Sequence, residues 1–100
     1  MNYYEILCEA NKLGINYINL AIAQNMLDAM ETYEDEFDFE NCFLHEKAFD
    51  SACYMAEEVY LSLEEPVDFY IICRATISLL VEKGWGITKK DIINKVLIYL

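Results

Sequence analysis

Cys42 and His45 stand three residues apart, and Cys53 follows in the same apolar stretch. On a helix this spacing brings a thiol and an imidazole onto neighbouring turns. Two chemistries could use them. A zinc site takes four ligands, usually as two short-spaced pairs. His45 is the sole histidine, and the chain has no second CxxC, CxxH or HxxxH, so the ligand set is incomplete. A Cys–His nucleophile built on Cys42 or Cys53 needs an orienting group and oxyanion donors. No glycine-rich turn accompanies either thiol, and both sit among core-type neighbours. Carboxylates are too abundant to point anywhere: 18 acids guarantee close pairs by chance, so pairing alone carries no weight for acid–base catalysis. The acidic run also fails the EF-hand spacing, with no glycine after the third ligand position and no closing glutamate in register. These residues predict a protein that is not an enzyme and holds no cofactor or metal.

The stronger signal is the placement of charge. Between Asp28 and Asp68 there are fourteen acids and one base, Lys47, for a formal charge of −13; the remainder is close to +2. A net charge of −11 argues against direct binding of nucleic acid, where affinity comes from cations neutralising phosphates. It argues equally against anionic membrane surfaces. It suits a basic protein surface. At 100° per residue, Glu46, Asp50, Glu57 and Glu64 fall within about 40° of one another, an outward stripe roughly 27 Å long on a helix. Glu34, Asp35, Glu36, Asp38 and Glu40 extend it at one end, and Glu65 and Asp68 at the other. Ordinary solvated faces mix the two signs, and like charges at i,i+4 repel. The stripe therefore reads as a partner-binding face for a basic groove that would otherwise hold nucleic acid. The protein would then be a small inhibitor acting as a nucleic-acid mimic, the form taken by antagonists that phages or mobile elements encode.

Five helices would position these residues. Asn2 and Glu5 form a capping-box-like pair for Tyr3–Leu13, closed by Gly14. A second helix runs from Asn16 to Tyr33, with Ile18, Ile22, Met26, Ala29, Met30 and Tyr33 on one face. Residues 34–41 alternate acid and aromatic. They could be extended chain, but a lone strand has no partner, so a loop and first turn capped by Asp38 or Asn41 is expected. The third helix, Cys42–Leu63, is the longest. It carries one apolar stripe through Leu44, Ala48, Ala52, Met55 and Val59, and a second through Phe49, Cys53, Ala56, Tyr60 and Leu63. A broad face of this kind marks a central helix. Pro66 separates it from a fourth helix, Val67–Lys83, with Ile72, Ala75, Leu79 and Leu80 inward. Gly84 and Gly86 break the chain, and Thr88 with Asp91 caps a last helix whose buried face is Ile92, Val96, Tyr99 and Leu100.

The last two helices superficially suggest a helix-turn-helix, but the charge of the whole favours a plain αα-hairpin. Its lysines, Lys83, Lys89, Lys90 and Lys95, give this end the opposite sign to the middle. That polarity permits self-association, with Lys89 and Lys90 meeting the acidic face of a second copy. Trp85, between two glycines, either closes over the core or anchors a partner; closure is the expectation. The chain has 56% hydrophobic residues, three glycines and one proline. That composition predicts one all-α domain spanning residues 1–100, a mostly up-and-down bundle of four to five helices. No leader or membrane-length apolar run is visible, so Cys8, Cys42, Cys53 and Cys73 read as reduced thiols of a cytoplasmic protein. The apolar excess supports a second functional class, an assembly subunit forming a homo-oligomer.

Overall fold

The computed structural model describes residues 20–43 and 47–100. The helix expected at Tyr3–Leu13 and its caps lie outside those residues, as do the expected start of the second helix at Asn16 with Ile18, and Cys8, Leu44, His45 and Glu46. The architecture is all-α, with no strand among the described residues. Its helices are α1 (Leu20–Thr32), the single turn α2 (Phe39–Cys42), α3 (Ala48–Ser62), α4 (Phe69–Lys83) and α5 (Lys89–Tyr99). A 3₁₀ turn at Gly84–Gly86 joins the last two. The Cα radius of gyration, 12.6 Å, is near the ~13 Å of a compact domain of this length. No described helix is long and apolar enough to cross a membrane.

Helix α1 buries Ile22, Ala23, Met26, Ala29 and Met30, the face set by its spacing. The expected third helix is divided. Its first residue, Cys42, is the last of α2, and α3 begins at Ala48 with Lys47 as an N-cap that offers no side-chain bond. Phe49, Ala52, Cys53, Ala56 and Val59 then face the core.

The middle of the bundle is shared. Helices α3 and α4 are both 15 residues long. Helix α3 packs on α1, α4 and α5, while α4 packs on α1, α3 and α5 and buries eight residues from Ile72 to Leu80. The reason is local: Ala75–Val81 carries no charge, so α4 can be covered on every side. Its small polar residues are bonded in place. The Thr76 hydroxyl donates to Ile72 O at 2.9 Å, and the Cys73 thiol donates to Ile22 O on α1 at 3.6 Å.

Helix ends follow their capping residues. Asp68 accepts from Tyr70 N at 2.8 Å at the start of α4. At its end Gly84 takes φ +71°, the left-handed region that suits a residue without Cβ. Thr88 and Asp91 close a reciprocal capping box: Asp91 N donates to Thr88 Oγ1 at 3.2 Å, and Thr88 N to Asp91 Oδ2 at 2.9 Å. These bonds to Thr88, backbone first, hold the Asp91 carboxyl below its ordinary range, with Lys83 and Lys90 adding to the effect. One expectation for α5 is corrected. Ile92 and Val96 are buried and Tyr99 is half-buried, but Leu100 is 70% exposed.

Candidate functional site: the acidic loop and its supports

Residues 33–43 leave α1, turn, and re-enter the core as α2. The carbonyl of Tyr33 accepts from Glu36 N at 3.0 Å and Phe37 N at 3.1 Å, curling the chain back on itself. Asp38 then caps α2 by accepting from Asn41 N at 3.1 Å, so the expected loop and first turn is what forms. Glu34, Asp35, Glu36, Asp38 and Glu40 are all exposed. They ring a shallow open concavity of about 540 Å³ that Phe37 and Phe39 also line. None of the described cations pairs with these five carboxylates; the ion pairs among the described residues lie elsewhere.

Aromatic side chains fix the loop from beneath. Phe39 is 1% exposed, with ring centroids 4.9 Å from Phe37 and 6.1 Å from Phe43. Phe43 meets Phe49 of α3 edge-on at 5.5 Å and Trp85 edge-on at 5.6 Å. Such contacts contribute about 0.5–1.5 kcal/mol each beyond burial. Acids and aromatics thus alternate with a purpose: the rings bind the segment to the fold while the carboxylates face water. Trp85, still 44% exposed, caps one end of this series and so does close over the core in part. At the other end, Tyr33 ties the end of α1 to α4 and α5. Its phenol is drawn below its usual value by the neighbouring Ser78, then by Tyr99 and Arg74, against the opposing effect of burial.

The helical stripe has a different fate. Phe43 packs edge-on against Phe49, in the first turn of α3. Asp50, within this turn, is only 7% exposed, and its Oδ1 has no hydrogen-bond partner among the described residues. Burial pushes its carboxyl above the ordinary range, with Lys47 opposing. Glu57 is half-buried, and Glu64 lies beyond the end of α3. Glu46 is outside the described residues. Asp50 and Glu57 therefore do not form the continuous outward ridge expected from 100° spacing. The negative surface is concentrated in the loop, with Glu64, Glu65 and Asp68 exposed between α3 and α4.

The basic end is largely neutralised within the fold. Lys89 pairs with Glu58, Lys95 with Glu82 at 2.8 Å, and Lys83 approaches Asp91 at 3.9 Å. This leaves little of the cationic surface expected to reach the acidic face of a second copy.

The thiols are placed as core. Cys42 is half-buried, while Cys53 and Cys73 are buried, and all three are free. Burial pushes Cys73 up to about 12 and raises Cys53 as well. Cys42 is also raised by burial, opposed by the indole N–H of Trp85. These groups stay protonated near neutral pH, whereas a nucleophile or metal ligand acts as thiolate. The Cys42–His45 pair itself reaches outside the described residues. Among the described residues, no three His, Cys, Asp or Glu side chains converge to hold a metal ion. Comparison with known proteins matches the chain to no family model, no curated protein and no solved structure.

Proposed function

We propose that this protein is a non-enzymatic binding module that docks its Glu34–Glu40 loop on a basic surface of a partner protein. In its most concrete form the surface is one that the partner uses for nucleic acid. The chain would act there as an inhibitor, a role suited to an antagonist carried by a phage or mobile element. The observation that carries this reading is five exposed carboxylates within seven residues, unpaired with any described cation and held on a buried aromatic base. A preorganised anionic patch loses little entropy on docking, and its field accelerates encounter with a cationic partner. Glu64, Glu65 and Asp68 would add to that field. Asp50, being buried, would contribute nothing to direct contact.

The test is affinity capture from host extract at low and high salt, beside a variant with Glu34, Asp35, Glu36 and Glu40 all changed to Lys. Asp38 is spared because it caps α2. The expected partner is a nucleic-acid-binding protein. It should be retained by the native chain, lost with the variant, released by salt and displaced by duplex or single-stranded nucleic acid. A partner that binds both chains equally, or that binds nucleic acid and this protein simultaneously, would refute the reading.

A further inference from the structure

Helix α5 has a second apolar face that the bundle does not use. Leu97 and Leu100 are 61% and 70% exposed, and Ile93, on the same side of the helix, is half-buried. Lys90, Ile93, Leu97 and Leu100 follow 3-4-3 spacing, the a/d seam along which two helices pack. Isolated surface leucines are ordinary, but a run of large apolar residues along one seam is an association surface.

Charge selects the occupant. Two copies carry −11 each, so they repel wherever their acidic segments face one another. Around α5 that repulsion is relieved, because Glu58, Glu82 and Asp91 are each matched by a lysine. Lys90, at the start of the seam, enters no ion pair among the described residues. In an antiparallel arrangement it would face the carbonyl end of the partner's α5, the negative pole of that helix.

We propose that this face of α5 is a two-fold interface between copies of the chain, with the α5 helices antiparallel and Ile93, Leu97 and Leu100 interdigitating. A helix of 11 residues is only about 16 Å long, so the contact is at the small end of specific interfaces and the dimer dissociates on dilution. None of the Glu34–Glu40 residues belongs to the seam. It stands independently of the proposed function.

Sedimentation equilibrium over micromolar to several hundred micromolar chain tests this directly. It would be run at about 10 mM and about 1 M salt, where the screening length falls from ~30 to ~3 Å. The expected result is a monomer–dimer equilibrium that tightens with salt, opposite in sign to docking by the acidic loop. Leu97→Glu, at an exposed site, should weaken the dimer about tenfold or more with the circular dichroism unchanged. The four-Lys loop variant should still dimerise. A native chain that stays monomeric throughout, or a Leu97→Glu chain that dimerises like the native one, would overturn the proposal.

Discussion

Asp50→Asn should make the protein more stable, because one oxygen of the native carboxylate is buried with no hydrogen-bond partner among the described residues. That oxygen is Oδ1, and the residue is 7% exposed. Leaving such an acceptor unsatisfied costs about 1–3 kcal/mol. The negative charge recovers part of this from its place in the first turn of α3, about 0.3–1 kcal/mol. An amide of the same shape is neutral and less costly to bury. The difference puts the gain near 1 kcal/mol at neutral pH, or about 4–8 °C in Tm for a domain of this size. The pH dependence gives a second, signed readout. The folded pKa is raised, so the native state holds this proton more tightly than the unfolded chain does. The penalty is absent below the unfolded value of about 3.9 and develops as pH rises through the folded one. The native and Asp50→Asn stability curves should therefore meet at acid pH and separate upward from there, as read by urea unfolding at a series of pH values. Destabilisation by more than about 1 kcal/mol would show that the carboxylate has a partner, and parallel curves that its pKa is not raised on folding; either result would defeat the reasoning.

Two further outcomes follow from the geometry. Gly84→Ala has open space for its Cβ, so the cost is backbone strain alone at φ +71°, ψ −151°, a region open essentially to glycine only: about 1–3 kcal/mol, measured as a lower urea midpoint with an unchanged slope. In a Cys8→Ser background, a thiol reagent should modify Cys42 first, and Cys53 and Cys73 only at the rate of unfolding. Labelling of Cys53 or Cys73 in the native state ahead of Cys42 would contradict their burial.

What the sequence made legible was whatever a short stretch decides for itself. The Thr88–Asp91 capping box, the Asp38 cap and the apolar face of α1 depend on neighbours a few residues away, and each formed as expected. The errors arose where one part of the chain covers another. Angular spacing placed Asp50 with Glu57 on an outer stripe, but it measures position around an axis and says nothing of what lies over the helix end, where Asp50 is only 7% exposed. Leu100 shared an i,i+4 row with Ile92 and Val96, yet such a row drifts by about 40° per step and by its third member has turned from the core. The depth of α4 was readable in the uncharged run Ala75–Val81, a signal weaker to the eye than the broad apolar face of α3. The loop's acids were all identifiable in advance. That the helical stripe would not continue their surface was not, because the burial of Asp50 is a tertiary matter.

The series of rings beneath the loop gives this protein an optical gauge of its own. Trp85 is the sole tryptophan, so all indole emission comes from one place. That place is the edge of Phe43, two rings from Phe37 and beside the Cys42 sulfur, a contact quencher at that range. Any event that lifts or seats the loop changes the polarity around the indole and its distance from the thiol. A partner docked on the loop as proposed, if it moves the loop, would therefore be read in the native chain by the colour and lifetime of its own fluorescence, with no label attached.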